Sequence, residues 1–368
     1  DWSGDIIGAF LSPEGNIRIL ARDSFAATSW TFDLGMTGDL LGSAELATPN
    51  DISSPYLAVQ ETNTQAPDGR LISAWGQTLY MAGADGAFIA QTPPDTRLSS
   101  SAQDVIVTSA GQILRATLVS PQDNDVEVEA RFYGLDGTPA GDPFIVATGL
   151  TYVFGHFDLE MAELADGRIA VVYSTSREGD ADDREAAVYM TILNADGSVS
   201  VAEQMVNTGD TDGAQDWVGV HPLDNGGVAV TYGTETGFTR TESQNARYFG
   251  ADGVEYDSYQ QEGQRGRPAE NLYVTPEGVL YRLDPADTDR LYEAPNPDDP
   301  GRTGDEVILS KGTLGEFAED PEIATLSDGR VVLIYDHTNL MGHVRIFDPA
   351  DDSLTDVTTL NGAKEGSV

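Results

Sequence analysis

The stretch Glu163–Ser176, ELADGRIAVVYSTS, decides how this chain is read. A polar turn, Asp166-Gly167, separates an apolar segment from a dense β-branched run, Ile169 to Tyr173. That order dictates strand, tight turn, strand. Glycine supplies the positive φ that a short hairpin needs, and β-branched residues suit a pleated, buried surface. Leu326–Asp336, LSDGRVVLIYD, repeats the same order.

Working outward, the pattern recurs as SPEGNIRIL at Gly15, APDGRLISAW at Gly69, TSAGQILRATL at Gly111, LDNGGVAVTY at Gly227 and TPEGVLYRL at Gly278. With Gly167 and Gly329 there are seven copies, at intervals of 54, 42, 56, 60, 51 and 51 residues. Propeller blades repeat at about 40–50 residues, and these intervals lie close to that.

Each unit also has a second half: a variable polar loop, a strand, another Asp-Gly-type turn and a last strand. Val128–Thr148, Ala187–Thr208 and Asn245–Tyr259 are the clearest examples, and His343–Leu360 follows the plan without the glycine. Four short antiparallel strands per unit, A to D, predict an all-β, seven-bladed β-propeller. One propeller is expected over residues 1–368, with blades near 5–48, 52–93, 102–149, 157–208, 215–260, 270–311 and 319–361. A series of β-sandwiches is the alternative, but it would not require such even spacing.

The signature LxDGRxxVxY followed by RxFxxDGTPxGDxF resembles repeats of large bacterial extracellular proteins exported by type I systems. Ala130–Thr148 and Phe317–Tyr335 carry the likeness best. It implies an extracellular setting and a propeller-like repeat, with no catalytic motif. The GGxGxDxUx calcium repeats common in such RTX-type proteins are absent, as is the sialidase Asp-box.

Composition sets limits on function. Lysine and arginine total 20 against 61 acidic residues, a formal net charge of -41. Nucleic acid and anionic membranes both require a basic surface, so neither is an expected partner. High salt or bound divalent cations would screen the self-repulsion. With no cysteine, disulfides and thiolate chemistry are excluded. The chain starts at Asp1 without a leader-like segment, which fits a processed or excised polypeptide.

In a four-stranded meander the A–B and C–D turns share one face of the ring, and the B–C and D–A loops share the other. The glycine turns are stereotyped scaffold. The variable loops opposite are where a site is expected. Five stand out: Gly149–Asp158, aromatic with His156; Thr208–Trp217, acidic; Glu262–Asn271, with Arg265 and Arg267; and the carboxylate-rich Ser120–Glu129 and Ser174–Glu185.

Clustered hard oxygen donors on short loops suit calcium, so Asp123, Asp125, Asp180, Asp182, Asp210 and Asp212 are its candidate ligands. None of these loops completes an EF-hand, and a solvated acidic loop is the alternative for each. No organic cofactor is expected, since no Rossmann or Walker fingerprint occurs. Ser/His/Asp catalysis lacks the GxSxG elbow.

Two functions fit. The first is a secreted, non-catalytic adhesion or assembly module that binds a glycan or protein, or copies of itself. Trp217, Trp30, Arg265 and Arg267 would supply stacking faces and anion contacts. The alternative is an enzyme acting on an anionic polysaccharide, as lyase or hydrolase. There His156, His337 and Tyr152 would move protons while Arg265 neutralises a uronate, a residue set like that of propeller-fold polysaccharide lyases.

Overall fold

The computed structural model describes residues 4–11, 15–23, 28–35, 37–45, 63–75, 78–83, 88–92, 102–122, 125–151, 158–177, 186–209, 213–235, 241–262, 272–283, 291–293, 306–309, 318–326, 330–337, 341–348, 353–355 and 358–360. Those residues form strands and turns, with no helix among them.

The strands run in meanders. β1 (Gly4–Leu11), β2 (Ile17–Asp23), β3 (Thr28–Leu34) and β4 (Leu40–Glu45) form one antiparallel sheet in chain order. β5 (Asn63–Gln65), β6 (Leu71–Trp75), β7 (Thr78–Ala82) and β8 (Phe88–Gln91) form the next. Then come β9 (Gln103–Val107), β10 (Gln112–Gln122), β11 (Asp125–Gly134) and β12 (Phe144–Thr151). They are followed by β13 (Asp158–Glu163), β14 (Ile169–Arg177), β15 (Ala187–Leu193) and β16 (Val199–Met205). These last two meanders share one eight-stranded sheet, because β12 pairs with β14.

β17 (Ala214–Pro222), β18 (Val228–Glu235), β19 (Thr241–Phe249) and β20 (Glu255–Glu262) make a further four-stranded sheet. So do β21 (Leu272–Val274), β22 (Leu280–Leu283), β23 (Leu291–Glu293) and β24 (Glu306–Leu309). The last sheet holds β25 (Ala318–Thr325), β26 (Val331–His337), β27 (Met341–Asp348), β28 (Ser353–Leu354) and β29 (Thr358–Leu360), the last two both paired with β27.

First strands pack on first strands. β1 touches β5, β5 touches β9, β9 touches β13, β13 touches β17, β21 touches β25, and β25 returns to β1. β21 meets the preceding meander through β18. The A strands are therefore the inner ones. The terminal sheets also touch through the Thr358 hydroxyl, which donates to the Gly38 carbonyl.

The core lies between sheets. Along β14, Ile169, Val171 and Tyr173 face the β9–β12 meander, while Ala170 and Val172 face the β17–β20 meander. A strand packed on both faces needs a continuous apolar run, which is why β15 (AVYMTIL) is buried at every position. The outer strand β16 is covered on fewer sides, and its residues are exposed or half-buried throughout.

The repeated turn has one geometry at Gly69, Gly111, Gly167 and Gly278, while Gly329 lies outside the described residues. Gly167 N–H donates to the Leu164 carbonyl at 2.9 Å, and Leu164 N–H donates to the Arg168 carbonyl at 2.7 Å. Gly167 takes a φ of 82°, and Asp166 Oδ1 accepts the Arg168 N–H at 3.1 Å. That is a type I turn closed by a left-handed glycine. One copy shifts register. In LDNGG it is Gly226, with φ 80°, that occupies the Gly167 place, while Gly227 stands where Arg168 stands. The expected turn glycine at 227 is thus corrected by one residue. Gly227 is small for another reason: a Cβ there would lie 2.2 Å from the Phe249 carbonyl oxygen.

Candidate functional site

The variable loops leave the framework from the ends of long strands, and several segments read as loop are strand instead. β10 continues to Gln122 and β11 starts at Asp125, so only Asp123 and Asn124 separate them. β14 extends through Ser174 to Arg177, and β17 begins at Ala214. Extended backbone pairing wins over the polar composition of these ends.

At this face three strand ends line up. Asp125 pairs with Thr151, and Thr151 pairs with Ser176. The ladder β11–β12–β14 therefore gathers the exits of the B–C connection at 123–124, the D–A connection at 152–157 and the B–C connection at 178–185. Three of the five loops singled out from sequence share this edge.

The inner strands beneath carry buried or half-buried carboxylates, and each has a partner. Asp104 Oδ1 accepts its neighbour Val105 N–H at 2.6 Å, and Oδ2 reaches across to Met161 N–H, also at 2.6 Å. Burial pushes the Asp104 carboxyl up to about 6, outweighing two N–H bonds that favour the charged form. Asp158 repeats the crossing, with Oδ2 accepting Val218 N–H at 2.9 Å. Asp216 accepts the Ser174 hydroxyl at 2.8 Å, and that hydroxyl oxygen in turn accepts Asp158 N–H. These acids stitch adjacent meanders together.

Trp217 adjoins this stitching. Asp216 pairs with Gly233 and Gly219 with Thr231, so Trp217 and Val218 together oppose one residue, a bulge that re-aims the strand. Trp217 is the only non-glycine residue with positive φ among the described residues, at 52°, and its side chain is half-buried. For a bulky residue this is a strained conformation, of the kind held at ligand sites. Its approach is fixed by Asn207, whose Nδ2 donates to Gln215 Oε1 at 2.8 Å, and by Gln215 N–H, which donates to the Ala186 carbonyl at 2.8 Å.

Other sequence candidates are placed only in part. Trp30 lies in β3, paired with Ala21 and Glu45, and His337 closes β26, paired with Ala318 and Met341. Asp125 opens β11. Tyr152, His156, Arg265, Arg267, Asp123, Asp180, Asp182, Asp210 and Asp212 lie outside the described residues. Among the described residues no three acidic or histidine side chains gather to hold a metal. His221, beside the turn at Leu223–Gly227, is part of the framework. Its Nε2 lies 3.2 Å from Thr231 Oγ1, its ring meets Tyr273 edge-on, and burial lowers it to about 4, which keeps it neutral.

Sequence reasoning missed the opposite end of the inner strands. There a cavity of about 270 Å³ is lined by Ser109, Glu163, Leu164, Ala165, Gly167, Pro222, Leu223, Asp224 and Pro276. These residues flank the stereotyped turns, and a repeat looks like scaffold until its copies are seen side by side. The available signal was Pro222 and Pro276, which sit just before two of the turns.

No protein-family model matches the chain, and no curated protein matches it. Solved structures do. The Pan2 WD40 domain of Neurospora crassa aligns with TM-score 0.55 at 10% identity over 93% of this chain and 88% of that one. The Cps50 (Swd1) β-propeller domain of Myceliophteria thermophila aligns with TM-score 0.50 at 9% identity over 92% and 97%. Polysaccharide lyase Uly1 aligns with TM-score 0.50 at 11% identity over 88% and 85%. At such identities the likeness is one of fold. Meandering four-stranded sheets, inner strands packed in sequence and these neighbours together give an all-β, propeller-like fold.

Proposed function

We propose that the chain is a seven-bladed propeller serving as a secreted, non-catalytic interaction module that binds a glycan or protein through its B–C/D–A face. The observation that carries this reading is the Asp125–Thr151–Ser176 ladder. It makes three variable connections leave a rigid sheet together, an arrangement suited to recognition. The strained Trp217 adds an aromatic surface on the next inner strand. The blade count is supported by the order of inner-strand contacts, which returns from β25 to β1.

The inner acids favour binding over catalysis, since Asp104, Asp158 and Asp216 are committed to hydrogen bonds between or within meanders. Calcium fits the reading, since the two acidic connections that follow Gln122 and Arg177 leave from strand ends of one ladder. The extracellular setting rests on the repeat resemblance and the acidic composition.

The test is a glycan and polysaccharide binding screen on the whole chain, with and without calcium, read alongside absorbance for unsaturated products. The module reading expects retention of a ligand, weakened about tenfold by Trp217→Gly, which suits the left-handed backbone while removing the stacking face. Formation of unsaturated product would overturn it in favour of a lyase using Tyr152, His156, His337 and Arg265.

A further inference from the structure

We propose that the cavity at the A–B-turn end of the inner strands is a second binding site, one that takes the lysine or arginine side chain of a partner polypeptide. This site lies on the face opposite the variable loops and does not depend on the module reading.

Its walls come from four successive meanders: Ser109, Glu163 to Ala165 with Gly167, Pro222 to Asp224, and Pro276. Glu163 is already aimed. Its Oε1 accepts the Ser109 hydroxyl at 2.8 Å and its Oε2 accepts the Ser109 N–H at 2.6 Å. A carboxylate oxygen can accept two hydrogen bonds, so each keeps capacity for an incoming N–H donor. A second carboxylate, Asp224, is exposed on a turn held by its own N–H, which donates to the Pro276 carbonyl at 2.8 Å.

Among the described residues no cation lines this cavity. Arg168, from the turn that supplies Leu164 and Gly167, is engaged elsewhere. Its Nε bonds Asp166, its Nη1 the Ala251 carbonyl and its Nη2 the Gly226 carbonyl. Two acidic residues therefore line the space without a counter-charge among the described lining residues. The remaining lining is largely Leu164, Pro222, Leu223 and Pro276, which suits an aliphatic stem. Proline and a hydrogen-bonded turn leave little freedom to lose on binding.

Size narrows the occupant. At about 270 Å³ the cavity falls below the roughly 300–1,000 Å³ typical of drug-sized ligands. That admits one side chain and not a stretch of polysaccharide. A formal charge of -41 steers a cationic partner towards the protein over a distance.

The test titrates ¹⁵N-labelled whole chain with Nα-acetyl-lysine methylamide and Nα-acetyl-arginine methylamide. Nα-acetyl-norleucine methylamide is the neutral control, and spermidine and calcium chloride form separate arms. The cationic amino-acid probes are expected to shift the amides of Ser109, Leu164, Leu223 and Asp224, and norleucine is not. Glu163→Gln and Asp224→Asn should each weaken the response about fivefold. Asp224 is exposed, so its variant reports on binding even if Glu163→Gln perturbs the turn. An equal response to norleucine, no response to either cationic probe, shifts confined to other residues, or indifference to both variants overturns the proposal. Tighter binding of spermidine or calcium at these same amides overturns it as well, by reassigning the site to a free cation.

Discussion

The guanidinium of Arg168 donates from Nη1 to the carbonyl oxygen of Ala251 at 2.6 Å, tying the A–B turn of one meander to the C–D turn of the next. Arg70 does the same two meanders earlier, with Nη1 donating to the Leu135 carbonyl at 2.7 Å. In each case the preceding turn aspartate holds the guanidinium: Asp166 for Arg168 and Asp68 for Arg70. The hydrogen bond from Arg70 also holds the Asp68 carboxyl below its usual value. The arginine of the DGR motif is thus a clamp between neighbours.

Arg168→Ala should lower stability by about 1–2 kcal/mol, since it removes charge-assisted bonds to two carbonyls at a partly exposed site. Lysine cannot bridge both carbonyls and should restore less than half. Denaturant titration of the two variants checks this.

Asp104 should make the protein less stable as pH rises through the mildly acidic range. Its folded value of about 6 exceeds the ordinary carboxylate value, so between about pH 4 and 6 the folded state binds a proton that the unfolded state has released. Stability from this group is present at low pH and falls by roughly 3 kcal/mol across the window. Asp104→Asn should remove this contribution, so that in denaturation curves taken at several pH values the variant gains stability relative to wild type as pH rises through the window.

His221 should act with the opposite sign. Its folded value of about 4 lies below the ordinary imidazole value, so between about pH 4 and 6.5 the unfolded state binds the extra proton. Stability falls as the solution is acidified through that range. His221→Gln, which can still meet Thr231 and cannot be charged, should remove this contribution and leave the Asp104 trend unopposed. The two windows overlap, so the wild-type profile should look flatter than either single variant's.

Gly226 and Gly227 should respond differently to substitution. Gly227→Ala forces a Cβ to 2.2 Å from the Phe249 carbonyl oxygen and should cost about 2–3 kcal/mol. Gly226→Asn keeps a residue that tolerates the left-handed region, with Ala251 Cβ no nearer than 3.7 Å, and should cost about 1 kcal/mol or less. Thermal melts of the pair check the register of this turn.

The sequence made the meanders legible because period and turn chemistry are local. Asp-Gly turns and runs such as Ile169–Tyr173 announce hairpins wherever they stand. The ends of the strands were harder to read. Ser174–Arg177 looks like loop by composition, yet Thr151 and the Asp158 backbone, both distant along the chain, hold it extended. Contacts of that kind leave no periodic trace. Glu163 and Asp224 were invisible as a pair because nothing in spacing shows that turns 60 residues apart share one cavity wall. Trp217 was picked out for its ring, while its unusual backbone follows from a bulge that composition does not encode.

The pairing of Leu150 and Thr151 with Arg177 and Ser176 has a consequence for how the molecule comes apart. One hydrogen-bonded sheet runs from β9 to β16, and a shared apolar core lies between its halves. Neither half can open without disturbing the other, so residues 103–205 behave as one cooperative unit inside a ring of smaller ones. Amides of β14, buried on both faces and bonded to three strands, should be the last to exchange with solvent. Openings of the ring should begin instead where adjoining sheets meet by side chains alone.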